Sequence, residues 1–231
     1  MTNSDPQIIQ IIEASRKHGW VLESDSKQIF SLMGFAVPKF TVAKTVDEAI
    51  KFANKIGYPV VAKIVSPLIM HKSDVGGVIV GITDDKGMTD AFQRLSSMNG
   101  FVGVLVEEMI SGTELIVGAK IDFQFGPMVI LGIGGTSVEI YRDVIQKMAP
   151  LSPQDGLTMI RSLKGYKLLD GYRGAKPVDK DKLADIIVNF STLVMSLKEE
   201  IESIDINPLL CFANQCVVAD ARIILKTMKD N

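Results

Sequence analysis

Residues 58 to 81 hold the densest set of reactive side chains in the chain. Pro59, Val60, Val61 and Ala62 lead into Lys63 as a buried strand would, and Val78–Val80 reads as a second short apolar strand. Between them lie His71, Lys72, Ser73, Asp74, Gly76 and Gly77. A lysine at the end of a buried strand, beside a glycine-rich loop, suits a polyphosphate. A charged group after so apolar a run needs a partner, so Lys63 either meets phosphate or snorkels to the surface. His71, one of only two histidines, adds a nucleophile. The glycines let its loop close on a phosphate or swing as a hinge.

A second set lies near the C-terminus. Asp205 and Asn207 alternate with Ile204 and Ile206, which puts both polar side chains on one face of a strand. Asp220 follows on a returning strand, at a spacing that sets it opposite Asn207. Oxygen ligands from two adjacent strands suit Mg2+, which takes few protein ligands and fills the rest with water and phosphate. The alternative is a buried polar network in a turn. A third stretch, Glu107, Glu108, Met109 and Ile110, closes an apolar strand, and Glu114 opens the next. A strand end with a free edge presents backbone donors and acceptors to an adenine, and an acid a few residues on can hold ribose hydroxyls. Paired carboxylates are also commonly a solvated face.

The elements that must position these residues follow from caps and periodicity. Ser4 to Gln7 forms a helix start, with Ile8, Ile9, Ile11 and Ile12 behind it and Gly19 as the stop. A second helix is expected over 26–33, ending at Gly34. Thr45 opens a third, ending at Gly57. Residues 84–87 read as a turn, 88–98 as a helix and 101–108 as a strand. Residues 114–121 and 127–133 read as an antiparallel pair, with Gly132, Gly134 and Gly135 breaking the second. A short strand is expected over 146–149 and a helix from Ser152. A glycine- and tyrosine-rich loop spans 165–174, and a long helix is capped by Asp179. One strand ends at Pro208, and 209–225 forms a hairpin around Ala213 and Asn214. The mixture is α+β in two lobes.

Composition narrows the class. With 231 residues, 47% hydrophobic and 23% charged, the chain can bury a full core. A formal net charge of -2 gives no electrostatic case for nucleic acid. No apolar stretch is long enough to span a membrane, and the N-terminus lacks the pattern of a signal peptide. Cys211 and Cys216 are not spaced as CxxC, so a reduced, cytoplasmic setting without structural zinc is expected.

Taken together, these stretches resemble the ATP-grasp fold, and within it the β subunit of ADP-forming acyl-CoA (acetyl-CoA) synthetases of the succinyl-CoA synthetase superfamily. The stretches that carry the resemblance start at Tyr58, His71, Val106, Phe125, Gly171, Asp205 and Asp220 and run over nearly the whole chain. The resemblance implies two ATP-grasp subdomains with the nucleotide between them. These are residues 20–104, with a phosphohistidine loop at 66–77, and 105–231, with a Mg-binding hairpin; an N-terminal helix, 1–19, precedes them. Lys63 matches the lysine that grips nucleotide phosphates. Glu107 to Ile110 match the adenine hinge, Glu114 the ribose acid, and Asn207 and Asp220 the magnesium ligands. His71 matches the histidine that carries a phosphoryl group, and Asp205 an acid near it. Lys147 departs from the pattern, where arginine is expected.

The implied activity is that of an acid–thiol ligase. Acyl-CoA, ADP and phosphate give the acid, CoA and ATP, with Mg2+ as cofactor. The first steps fall to an α subunit that carries the CoA-binding and ligase domains, in an expected α2β2 assembly. The alternatives are a stand-alone carboxylate–amine ligase of the same fold and a nucleotide-sensing subunit without catalysis.

Overall fold

The computed structural model describes residues 5–135, 143–171 and 176–227. Ser4 of the expected first cap and residues 172–174 of the glycine–tyrosine loop lie outside them. The chain divides into two compact units, the smaller made of Leu22–Ser24 and Pro38–Ile110 and the larger of Met1–Val21, Asp25–Val37 and Ser111–Asn231. This differs from the expected borders at 19/20 and 104/105. Helix α1 (Pro6–Ser15) is not a separate piece, because its Ile8 and Ile12 are buried in the larger unit's core. A border at 104/105 would cut strand β5 (Gly103–Glu108), which pairs along its whole length within the smaller unit.

In the smaller unit four antiparallel strands run in the order β2–β5–β3–β4, with β2 Phe40–Ala43, β3 Val60–Val65 and β4 Val78–Ile82. Helices α3 (Val46–Ile56) and α4 (Asp85–Ser96) supply Ala49, Ala53, Met88 and Leu95 to a core with Val60, Ala62, Ile64, Val104 and Val106. Thr45 caps α3 by accepting from the Glu48 N–H at 3.2 Å. Helix α4 starts earlier than the sequence suggests. Residues 84–87 are its cap and first turn, because Asp84 accepts from the Gly87 N–H at 2.7 Å. Such a cap contributes about 1 kcal/mol, enough to offset the low helix propensity of one glycine. All six residues of β3 are buried, so both faces of this strand are covered.

The larger unit is built on an antiparallel sheet in the order β1–β11–β9–β6–β7–β8, with β10 also paired to β9. Its strands are β1 Trp20–Val21, β6 Thr113–Asp122, β7 Gly126–Ile133, β8 Val144–Met148, β9 Ile201–Phe212, β10 Gln215–Val218 and β11 Ala221–Leu225. Helix α2 (Glu23–Leu32) begins three residues before the expected Ser26. Helix α5 (Pro153–Ser162) opens with a capping box in which Ser152 and Asp155 exchange hydrogen bonds. Helix α6 (Lys180–Leu197) buries Leu183, Ile187, Phe190, Val194 and Leu197, the stripe of an amphipathic helix. Leu115, Val117, Ala119, Val129, Leu131, Ile204 and Ile206 meet that stripe in one core.

Strand β9 runs on where the sequence suggests a stop at Pro208. Residues 209–212 pair with β10 and residues 201–206 with β11. Pro208 therefore falls where the partner changes, a place that asks for no N–H, and its carbonyl accepts from the Ala219 N–H at 3.1 Å. Cys211 and Cys216 are direct cross-strand partners and form a disulfide, with Cα atoms 4.0 Å apart. The expected reduced pair is thus not what the structure contains; antiparallel register, invisible in the spacing, brings the two together. Among the described residues no helix is long and apolar enough to cross a membrane.

Candidate functional site

Within the smaller unit, register explains the surroundings of Lys63. Lys63 lies opposite Leu105 and Val61 opposite Glu107, so Lys63 and Glu107 are diagonal neighbours on the sheet face away from α3 and α4. Lys63 Nζ lies 2.9 Å from Glu107 Oε1 and 2.7 Å from Oε1 of Glu23, in the first turn of α2. Glu23 Oε2 accepts from Lys72 Nζ. All four side chains are buried, at 3 to 8% relative exposure. Carboxylate and ammonium alternate along the chain Glu107–Lys63–Glu23–Lys72, and the charges sum to zero. The direct pairing of opposite charges is what lets these four stay out of water. Removing one member of such a buried pair leaves its partner uncompensated, at about 3–5 kcal/mol.

The expectation that Lys63 must have a partner thus meets a specific answer: two carboxylates. Neither Glu23 nor the pairing of Lys72 was legible in the sequence. Glu23 sits far from Lys63 along the chain, and no local pattern marks it. Glu107, expected in the adenine hinge, directs its side chain to Lys63. The free edge expected at Glu107 and Glu108 is absent. Strand β5 has β2 on one side and β3 on the other, and the Glu108 N–H donates to the Lys39 carbonyl at 3.0 Å. Met109 and Ile110 lie past the strand's end, with Met109 exposed.

His71 is exposed on the loop between β3 and β4, while the adjacent Lys72 is buried. The loop ends in a single helical turn, Ser73–Val75, closed by Gly76 at φ 69°. Gly77 is required by packing. A Cβ there would stand 2.6 Å from Ile64 Cγ2 and 3.1 Å from the Lys72 carbonyl oxygen.

In the larger unit, the alternation along β6, β9 and β11 sends Glu114, Asp205, Asn207 and Arg222 to the sheet face opposite the core, and Asp220 immediately precedes β11. The expected opposition of Asn207 and Asp220 is present. Ile206 pairs with Ala221, and the Asn207 N–H donates to the Asp220 carbonyl at 3.1 Å. An amide oxygen and a carboxylate on neighbouring strands fit Mg2+, a hard cation content with a few protein oxygens. Among the described residues no cluster of three or more His, Cys, Asp or Glu side chains forms a closed metal cage. Asp205 is held by Arg222, whose Nε and Nη2 both lie 3.1 Å from Oδ1. Glu114 is exposed at the start of β6. Gly134 packs on it so closely that a Cβ would come within 2.9 Å of the Glu114 backbone.

Lys147, where the resemblance leads one to expect arginine, lies in β8. It pairs with Val129, a core residue, and so faces the helices rather than the Asp205–Asn207 face. There its ammonium binds Asp155 of the α5 capping box. That contact, then the hydrogen bonds from Ser152, hold the Asp155 carboxyl well below the usual carboxylate range.

A model of the ATP-grasp domain matches residues 13–225. The β subunit of acetate–CoA ligase [ADP-forming] I from Pyrococcus furiosus is 44% identical over 225 residues, covering 94% of this chain and 97% of that one. The 4-hydroxybutyrate–CoA ligase [ADP-forming] of Nitrosopumilus maritimus is 43% identical over 88% of this chain but only 30% of its own length. Among solved structures, acetyl-coenzyme A synthetase 1 of Ca. Korarchaeum cryptofilum superposes with a TM-score of 0.81 at 38% identity, over 95% of this chain and 100% of that one. That structure holds coenzyme A and Mg-AMPPCP, with its phosphohistidine segment pointing towards the nucleotide binding site. With its fold and its full-length matches in common, the chain belongs to the ATP-grasp β subunits of the ADP-forming acetate–CoA ligases.

Proposed function

We propose that this chain is the nucleotide-binding half of an ADP-forming acyl-CoA synthetase, and that His71 relays a phosphoryl group to ADP. A partner α subunit converts acyl-CoA and phosphate to an acyl phosphate and CoA, and a histidine there takes the phosphoryl group. The acid leaves as that histidine is phosphorylated, and transfer of the group to His71 and then to ADP gives ATP. In the last step the N–P bond on the His71 imidazole breaks as a bond forms to a terminal oxygen of ADP. Neutral imidazole is left behind, a suitable leaving group near pH 7.

The observation that carries this reading is the exposure of His71 beside a buried Lys72 on a glycine-closed loop. The ring is presented outward by a side chain fixed inward. Asn207 and Asp220 would hold Mg2+, which when bound neutralises phosphate oxygens during transfer. Lys63 would add an ammonium for those oxygens, drawn from its two carboxylates. Asp205, oriented by Arg222, would position an imidazole and stabilise its charge. The backbone of Met109 and Ile110 would receive adenine, and Glu114 the ribose.

The relatives' lengths support a divided enzyme. The chain spans nearly all of the P. furiosus β subunit and under a third of the N. maritimus ligase, where further sequence shares one polypeptide. An α2β2 assembly is the stoichiometry we propose. A cytoplasmic setting rests on the nucleotide and CoA thioester chemistry alone, and the Cys211–Cys216 bridge lends it no support.

The test is incubation of the pure chain with Mg·ATP. An acid-labile, base-stable phosphate is expected on His71. His71→Ala should lose it, and all turnover with the α subunit, while still binding nucleotide. A label on another residue, or near-normal turnover by the variant, rejects the relay in favour of a plain ATP-grasp ligase.

A further inference from the structure

The loop that carries His71 is fastened at both ends and, through Lys72, between them. At its start, Ser66 Oγ donates to the Asn99 carbonyl at 2.8 Å and accepts from the Leu68 N–H at 3.1 Å. At its end, the Ile64 N–H donates to the Gly77 carbonyl at 2.9 Å, and the Gly77 N–H to the Lys72 carbonyl at 2.7 Å. Arg94 also donates to the Gly76 carbonyl at 3.3 Å. A fastening between them is the side chain of Lys72, next in sequence to His71 and paired with Glu23 Oε2. Glu23 uses its other oxygen, Oε1, for Lys63.

We propose that Glu23 is a positioning residue for His71, a catch whose two oxygens tie the loop, through Lys72, to the lysine of β3. Its purpose rests on the reading of His71 as a phosphoryl carrier, but its existence does not. Adjacent Cα atoms are about 3.8 Å apart, so fixing Lys72 against Glu23 limits where the His71 ring can stand. With the catch made, the backbone at His71 is tied down through its neighbour. With it broken, residues 67–75 lose that tie, while the Ser66 bonds, the packing of Ile69 and the Gly76–Gly77 turn remain.

Loading the carrier adds charge at the residue next to the catch. A phosphoryl group on His71 carries roughly two negative charges, and once the loop turns so that the two side chains meet, it competes with Glu23 for the Lys72 ammonium. The loaded loop is therefore released more readily than the empty one. When the phosphoryl group leaves, Lys72 returns to Glu23 and the buried charges balance again. Lys72 thus has two partners in turn.

The experiment compares four full-length proteins: wild type, Lys72→Met, Glu23→Gln and the double variant. The double variant leaves Lys63 and Glu107 as a balanced pair, so it separates loss of the catch from simple charge imbalance. Hydrogen–deuterium exchange is followed for peptides covering residues 66–78. Exchange in this loop should rise roughly tenfold in all three variants, with β3 and α4 unchanged. The double variant should melt within a few degrees of wild type. In wild type, loading with Mg·ATP should raise the same loop's exchange, and that rise should vanish in the double variant.

Wild-type exchange in the double variant overturns the catch. So does loosening confined to the single variants, which assigns the effect to charge imbalance. Should a single variant unfold, the charge-balanced double still decides. If wild type takes no phosphate on His71, the carrier reading fails, while loop exchange in the unloaded proteins continues to decide the catch.

Discussion

The Asn207 N–H donates to the Asp220 carbonyl at 3.1 Å, one step beyond the Ile206–Ala221 pair, and so sets a residue with an amide opposite a residue with a carboxylate. Asp220→Asn keeps the size and the backbone bond while removing the charge. The expected result is a loss of Mg·ADP affinity of roughly tenfold or more, about 1.4 kcal/mol for each factor of ten. Binding of metal-free ADP should change little. Calorimetry that finds Mg·ADP affinity unaltered would remove Asp220 from the metal site.

A second prediction concerns Arg222, whose Nε and Nη2 both reach one oxygen of Asp205. The two side chains are 30% and 25% exposed, so their pair adds at most about 1 kcal/mol to stability. Arg222→Lys keeps the charge but loses the planar two-donor grip. The melting temperature should therefore hardly move, while the rate of phosphoryl transfer between His71 and ADP falls. A variant that transfers at the wild-type rate would show that Asp205 needs no orientation by Arg222.

Much of this fold was legible because local rules and tertiary packing agree. Thr45, Asp179 and Ser152 cap the helices their sequence announces, and the alternation around Asp205 puts it on the polar face. What was not legible depends on contacts far apart in sequence. Glu23 joins Lys63 across 40 positions, a pairing set by packing rather than periodicity. Cys211 and Cys216 meet through hairpin register. Pro208 looks like a strand end until the change of partner from β10 to β11 shows why it is tolerated. The charge of Lys147 was legible, but its facing Asp155 follows from the register of β8 on β7.

The Lys147–Asp155 contact carries a pH dependence with a defined sign. Hydrogen bonds from Lys147 and Ser152 hold the Asp155 carboxyl far below its ordinary value of 3.8. A folded-state value below the unfolded one means that the stabilisation is complete above about pH 4. It is lost as pH falls through the folded value. Asp155→Asn should therefore melt below wild type at pH 7, and the gap should close as pH is lowered from about 4 toward 2. A gap that stays constant across that range would mean that the ionised carboxylate is not what holds the start of α5.

The last prediction follows from the close approach of Gly77 to β3. A methyl group at this position would meet Ile64 Cγ2 at 2.6 Å and the Lys72 carbonyl at 3.1 Å. Ile64 is fully buried in the smaller unit's core, and the Lys72 carbonyl already accepts from Gly77. Neither neighbour can yield without moving the strand or the loop, and overpacking of this kind costs about 1–3 kcal/mol. Gly81 is the control. A Cβ there meets nothing within 4 Å, although φ is +73°, so Gly81→Ala bears only the left-handed backbone penalty of about 1–2 kcal/mol. Both variants should lower the melting temperature. Gly77→Ala alone should also slow phosphorylation of His71 by Mg·ATP, because it pushes on the carbonyl of the residue next to the imidazole. Nucleotide affinity should stay near wild type in both. If the two variants load His71 equally fast, the seat of the loop against β3 does not govern where the histidine stands.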